Sequence, residues 1–456
     1  MNKYFKLFVF FACGAYLTLH FTQEDHGWRA RVQKAMAKLN QTHGSDQAYE
    51  LTQMAVMNRA VVYIEDHYVE PSRVNRPKMV AAGLEQIQRA VPEIMVNLDQ
   101  EGELDPTSAE VQVNDHKKRF SLKINSRFEL LFKFRDIFRF IQGKLKHFTD
   151  LREIEYAAIN GMLSTLDPHS ILLSPEEYAE MHLSTKGRFG GLGILIGIRD
   201  NHLTVINPIE DTPASRAGIK ANDHIVQINL DSTVNMSLSD AVNLMRGEPG
   251  TDVGIFVMRE GWKSPKKFTL TRDHIKVKSV KYKYLDKGIG LVRVRNFQNT
   301  TVNELKSAID SLKKISKRSK LKGLVLDLRG NHGLLDQAAK MSDLFISRGT
   351  IVKTVGSGDK LREPKMARSK GTIKDLPIVV MLNSSSASAS EIVAGALKNH
   401  DRALVLGQRS FGKGTVQLLF DNPDQSALKL TIAQYLTPGD ISIQSVGITP
   451  TVELSP

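Results

Sequence analysis

The chain has 456 residues, 41% hydrophobic and 24% charged, which fits a folded globular protein of about three domains and excludes large-scale disorder. Its formal net charge of +13 would suit nucleic acid, an anionic membrane surface or an acidic polymer, but the sequence holds no zinc-ligand cluster and no nucleic-acid motif, so nucleic acid is set aside. The single cysteine, Cys13, rules out an internal disulfide.

At the N-terminus Lys3 and Lys6 precede an apolar stretch, Leu7 to Phe21, that reads as an export signal. The stretch is short for a full membrane span, but with its flanks it could serve as an anchor. Ala12-Cys13-Gly14-Ala15 offers small residues for cleavage, and Cys13 after Ala12 faintly resembles a lipoprotein acceptor. Cleaved, lipidated and anchored forms stay open. Residues 1–27 are therefore expected to direct the chain out of the cytoplasm, to the periplasm or cell envelope.

Residues 28–185 read as a helical N-terminal region. Met54, Met57, Val61, Ile64 and His67-Tyr68 recur at helical spacing. Pro71 and Pro77 interrupt, and a second helix is expected to about Val91. Residues 92–118 are polar, acidic and rich in turn formers, and read as a loop. From 120 to 148, Phe128, Leu131, Phe134, Phe138 and Ile141 fall on one helical stripe with Lys133, Arg135 and Arg139 between them. Such a helix packs on the body or on a second subunit, or lies on a membrane surface. Another amphipathic helix runs from Asp150 to Leu166 and ends at Asp167-Pro168.

Between 186 and 275 the pattern becomes β-rich: Gly193–Ile198, Leu203–Ile206, Ile225–Ile228, Val253–Arg259 and Lys267–Leu270, with one helix at Leu238–Met245. From 276 to 456 it is α/β. Apolar runs at Gly290–Val294, Leu324–Leu328, Ile378–Leu382 and Ala403–Leu406 alternate with helices at Val302–Ile315, Leu335–Ile346 and Ser390–Asn399, which predicts a mostly parallel sheet with covered faces. Thr415–Phe420 and Leu428–Leu436 add strands. The basic run Lys313 to Lys320 reads as the solvated end of a helix.

The stretch Asn383–His400, NSSSASASEIVAGALKNH, holds the sharpest local signal. Ser388-Ala389-Ser390-Glu391 fits a capping box, so Ser388 reads as an N-cap. The same geometry also suits a nucleophile. A serine at a helix start, just after a strand, sits at the strand's carboxyl end, and the free N–H groups of the first turn can bind an oxyanion. A nucleophile needs a base. Lys413, in the glycine-flanked turn Gly412-Lys413-Gly414, is a candidate if it is desolvated enough to lose its proton, and a plain turn lysine if it is not.

Together, SASASEI and, 25 residues after its serine, FGKGTVQ resemble the carboxyl-terminal processing peptidases, also called tail-specific proteases. LDPHSILLSPEEY (166–178), GLVLDLRGN (323–331), LLDQAAKMSDLFISRGTIV (334–352) and LTIAQYLTPGDISIQSVGITP (430–450) agree, so the resemblance spans roughly residues 150–452. It implies a serine endopeptidase: a crotonase-like α/β peptidase core with an inserted, mostly-β PDZ domain at 186–275. It also implies Ser388 as nucleophile, Lys413 as general base and then acid, and Gln417 as the residue orienting the lysine. Gln417 lies four residues on, about 13 Å along a straight strand, so the turn must bend to bring it back. The N–H of Ala389, or of Ser388 itself, would join the oxyanion hole, with a second donor on Gly333. The segment around Gly191-Leu192-Gly193-Ile194 looks like a carboxylate-binding loop, with Leu192 and Ile194 lining an apolar pocket for a free C-terminus.

Two departures stand out. The family's Arg-Gly-Asn-Pro-Gly-Gly-Leu-Leu is here Arg329-Gly330-Asn331-His332-Gly333-Leu334-Leu335, one residue shorter. Loss of an oxyanion donor costs about 10²–10³ in rate, so a weakened enzyme or an inactive PDZ adaptor or scaffold is the alternative reading. Residues 71–148 do not match the family and could govern assembly, partner binding or gating. The expected partners are protein or peptide substrates with apolar C-termini, a membrane through the N-terminus, and a homo-oligomer or adaptor. No metal or cofactor is expected.

Overall fold

The computed structural model describes residues 49–99, 105–145, 150–316, 321–359 and 362–454. The expected export signal with Cys13, the helix expected from residue 28 up to residue 48, and Lys317 to Lys320 lie outside them. The chain from Leu51 onward forms one unit, distinct from the unit that ends at Glu50.

After a 3₁₀ turn at Leu51–Gln53, α1 (Ala55–His67) buries Met57, Val61 and Ile64. Its N-terminus is capped from afar. The fully buried Glu155 carboxylate accepts from the N–H groups of Val56 and Met57 at 3.0 and 2.7 Å. Helix α2 (Arg76–Ala90) starts at Asn75, whose Oδ1 accepts from Lys78 N–H, and carries Pro77 in its first turn, where a missing N–H costs nothing.

The loop expected over 92–118 is instead a three-stranded antiparallel meander: β1 (Ile94–Asp99), β2 (Ser108–Val113) and β3 (His116–Ser121). Ala109, Val111 and Val113 of β2 alternate inward, but the intervening polar residues and the outward, basic β3 give the composition of a loop. Helix α3 (Arg127–Lys144) buries Leu130, Phe134, Ile137, Phe138 and Ile141. The expected stripe was displaced by part of a turn. Phe128 stands 62% exposed and Leu131 is only half-buried. Helix α4 (Arg152–Ser164) packs tightly on α2, since a Cβ on Gly161 would lie 2.3 Å from the Ala82 carbonyl oxygen.

Strand β4 (Ile171–Leu173) and α5 (Pro175–Lys186) lead into a pair of strands, β5 (Arg188–Gly191) and a later partner. The β-rich module contains β6 (Ile194–Arg199), β7 (His202–Pro208), the turn α6 (Pro213–Arg216), β8 (His224–Ile228), β9 (Asp231–Ser232), α7 (Leu238–Met245), β10 (Asp252–Met258) and β11 (Lys266–Thr271). Its sheet order β11-β10-β8-β7-β6 leaves β6 on the edge, beside α7. The partner of β5 is β12 (Asp273–Lys276), so the two connections into and out of the module are hydrogen-bonded to each other.

The C-terminal part holds β13 (Val280–Tyr284), β14 (Ile289–Val294), α8 (Thr301–Ile315), β15 (Gly323–Asp327), α9 (Leu335–Asp343), β16 (Thr350–Gly356), β17 (Arg362–Met366), β18 (Ile378–Leu382), α10 (Ala389–Asn399), β19 (Leu404–Gly407), β20 (Thr415–Asp421), β21 (Ala427–Thr437), β22 (Ile441–Ser442) and β23 (Val452–Glu453). One sheet, β13-β14-β15-β18-β19-β23, is parallel except for β13. The strands expected from Thr415 and Leu428 do not extend it. They pair with each other, and β21 also pairs with β16, β22 and β4, in a second, antiparallel sheet that β17 extends beyond β16. Helix α10 touches both sheets and is buried from Ala389 to Leu397.

Candidate active site

The turn from β18 to α10 is built by its serines. The Ser386 hydroxyl lies 3.0 Å from the Leu328 carbonyl oxygen and accepts from Asn383 N–H. Ser390 Oγ and Ala387 N–H both donate to the Asn331 carbonyl, at 2.9 Å each. Gly330 N–H donates to Asn383 Oδ1 at 2.8 Å. Ser386 and Ser390 are thus buried and pin the 329–335 loop against the helix start, while Ser384 and Ser385 are exposed.

Ser388 differs from its neighbours. It is the N-cap of α10, half-buried, with φ 53° and ψ −109°. That backbone region suits glycine and strains a residue with a Cβ. The turn is sharp because Glu391, fully buried, pulls the Ser388 N–H onto its Oε2 at 2.7 Å.

Glu391 also holds the loop of the candidate base. Oε2 accepts from Lys413 N–H at 2.9 Å, and Oε1 accepts from Gly412 N–H and Ser410 Oγ at 2.6 Å each. One carboxylate therefore joins the backbones of Ser388 and Lys413. It also occupies the Ser388 N–H, which takes that group out of the two donors expected near the nucleophile. Tyr435, buried on β21, donates its hydroxyl to the Lys413 carbonyl. Burial, then the Glu391 charge, push its hydroxyl well above the ordinary value, so it stays a neutral donor.

Burial holds the Lys413 ammonium below its ordinary value. The nearby Lys429 adds to this, and Asp167 works against it. Asp167 is itself organised by the LDPHS segment: Oδ1 accepts from His169 N–H, Ser170 N–H and Thr431 Oγ1, and Oδ2 from Ser170 Oγ. Burial, and then Lys413, likewise lower His169.

Gln417 lies beside this network. Its Nε2 is 2.9 Å from Thr415 Oγ1 and 3.2 Å from Thr431 Oγ1. A register shift between Val416 and Gln417 supplies the bend that a straight strand would lack. The polar bonds seen for Gln417 run to threonines rather than to Lys413.

Gly333 has φ 142°, and a Cβ there would meet the Phe297 carbonyl oxygen at 2.4 Å. Bonds from Phe297 N–H to the His332 carbonyl and from Leu334 N–H to the Phe297 carbonyl pin its neighbours, and His332 is exposed.

In the β-rich module Gly193 has φ 75°, against Thr212. Leu192 is 2% exposed and its carbonyl accepts from Ala214 N–H, so it belongs to the module's core and does not line an open pocket as expected. Gly191 ends β5, and Ile194 and Ile196 of the edge strand pack part-buried on that core.

Asp167, Glu391, Tyr435 and Thr431 escaped sequence reasoning as site residues. Asp167 lies in the LDPHS segment and Thr431 and Tyr435 in LTIAQYL, both part of the resemblance, while Glu391 reads from its local pattern as a helix cap.

Residues 288–454 match peptidase family S41, and residues 190–271 match the PDZ domain. Over 330 residues the chain is 42% identical to the carboxy-terminal-processing protease of Bartonella bacilliformis, covering 71% of this chain and 75% of the relative. It is 36% identical over 307 residues to the carboxy-terminal processing protease CtpA of Bacillus subtilis, covering 67% of this chain and 65% of the relative. The photosystem II D1 C-terminal processing protease aligns with 25% identity and a TM-score of 0.46, over 90% of this chain and 94% of that structure.

Proposed function

This chain belongs to the carboxy-terminal processing proteases of peptidase family S41, and we propose that it cleaves protein substrates through a Ser388–Lys413 pair. The shared carboxylate of Glu391 carries this reading, because it joins the nucleophile's turn to the base's turn. Neutral Lys413 takes the proton of Ser388 as Oγ attacks the scissile carbonyl. The tetrahedral oxyanion is met by the N–H groups of Ala389 and Gly333. The Lys413 ammonium then protonates the leaving amine and the acyl-enzyme forms. Water attacks the ester with Lys413 again as base, releasing the new carboxylate. Gln417 and Asp167 hold the polar wall beside the lysine.

Substrates are selected by an apolar C-terminus. The open edge of β6 can accept a peptide as a further strand, with the Gly191–Ile194 turn at its carboxylate end and α7 alongside. The chain works in the cell envelope, held there by its N-terminal segment. The reading as an inactive adaptor rested on the shortened 329–335 loop. Gly330 and Asn331 tie that loop to the Ser388 turn, and Gly333 keeps its glycine-only conformation, which favours a working enzyme.

The test is degradation of an unfolded protein bearing an apolar tail. The full chain should cleave it and Ser388→Ala should not. Cleavage by Ser388→Ala at the parent rate would remove the nucleophile assignment.

A further inference from the structure

Helix α3 carries two stripes. One is the buried set described above. The other runs Phe128, Phe132, Arg135, Arg139, at a spacing of i, i+4, i+7, i+11 that puts all four on the outer face. Phe128 and Phe132 are 62% and 60% exposed. The Arg127 guanidinium lies 5.3 Å from the Phe128 ring centre, and that of Arg135 lies 5.7 Å from the Phe132 ring centre. Two neighbouring phenylalanines in water mark a contact surface. The helix holds five basic residues and two acidic ones. Of the acidic pair, Glu129 accepts from Asn125 N–H and Asp136 pairs with Arg139 at 3.0 Å. Strand β3 adds Lys117, Lys118 and Arg119. The Lys118 ammonium lies 4.9 Å from the Phe120 ring centre and 6.0 Å from that of Phe140, so the basic strand runs along the helix flank.

We infer that this face docks on an anionic phospholipid surface, with Phe128 and Phe132 at the acyl boundary and Arg135, Arg139 and the β3 cations among the headgroups. Charge and surface chemistry choose lipid as the occupant. The face sets exposed aromatic rings beside an excess of positive charge, which complements an interface of acyl chains under anionic headgroups. No helix among the described residues is long and apolar enough to cross a membrane, so α3 would lie in the plane of the surface. The inference rests on the envelope reading of the N-terminus, not on the peptidase chemistry.

Depth measurement separates α3 from the N-terminal segment. In the full chain with Cys13→Ser, a nitroxide is attached at Phe132→Cys, and in a second protein at Ser232→Cys in β9. With vesicles of mixed phosphatidylcholine and phosphatidylglycerol, the label at 132 should gain oxygen collisions and lose those with an aqueous nickel chelate. The label at 232 should not change. Neutral phosphatidylcholine vesicles should give little change at 132. Arg135→Glu with Arg139→Glu should return the label to water and weaken partition about tenfold or more. Phe128→Ser with Phe132→Ser should cleave a tailed substrate in solution as the parent does. The inference is overturned if the label at 132 stays in water on mixed vesicles, if charge reversal leaves its depth unchanged, or if it is buried without vesicles, which would mean that a second copy covers the face. Loss of solution cleavage in the serine variant would place α3 in the peptidase and also overturn it. Failure of the parent chain to cleave tailed substrates would instead count against the proposed function alone.

Discussion

Ser388 and Lys413 donate their backbone N–H groups to the same oxygen, Oε2 of Glu391, at 2.7 and 2.9 Å. Residues 25 apart in sequence thus share one buried acceptor. Glu391→Gln keeps the volume but sets an amide NH₂ against N–H donors. Misplacement of reacting groups by even 1 Å can cost about 10²-fold, so kcat should fall by about that factor with KM little changed. Steady-state kinetics on a tailed peptide check this, and a change confined to KM would remove Glu391 from its positioning role.

Activity should rise with pH. The working form of Lys413 is the neutral amine, and burial with Lys429 lowers the pH at which that form appears. The acid limb of kcat/KM should therefore lie below the ordinary lysine value. Lys429→Met removes a lowering influence and should move the limb to higher pH. Asp167→Asn removes a raising influence and should move it to lower pH. Profiles of the three proteins test the signs, and shifts in the opposite sense would exclude Lys413 as the base.

Ser388 has a backbone that glycine adopts freely. Ser388→Gly and Ser388→Ala should both abolish cleavage, but only the glycine relieves the strain. Ser388→Gly should be more stable than Ser388→Ala by about 1 kcal/mol in denaturant titration. Equal stabilities would mean that the turn is not strained.

Gly333→Ala places a Cβ against the Phe297 carbonyl and in an unfavourable φ. Displacement of the Gly333 N–H should lower kcat by about 10²–10³, the cost of one oxyanion donor. His332→Pro alters only an exposed position and should not change kcat by a comparable amount.

Leu192 belongs to the core of the PDZ domain. Leu192→Ala should destabilise that domain by about 2–5 kcal/mol, seen as an early transition in thermal unfolding. An unchanged domain with altered peptide preference would return Leu192 to the pocket.

Much of the fold was legible because it follows from short-range periods. Ile378–Leu382 and Leu238–Met245 appear in the structure at the limits read from apolar runs and turn residues. The meander β1–β3 was hidden, since only β2 alternates cleanly, while β1 and β3 bury one residue each, Ile94 and Phe120, and otherwise read as polar loop. In α3 every residue of the expected stripe is apolar, yet only packing could say that Leu130 and Ile137 turn inward while Phe128 faces out.

For the site, residue order was enough to point to Ser388, Lys413, Gln417 and Gly333, because a cap, a glycine turn and a motif are local patterns. Their connection is not local. Glu391 reads as a cap until the loop at 410–413 folds over it, and Asp167 and Tyr435 reach Lys413 from remote segments. Burial of that lysine, which sets its proton affinity, comes from how two sheets close on α10. No window of sequence contains it, because desolvation is a property of everything packed around a charge.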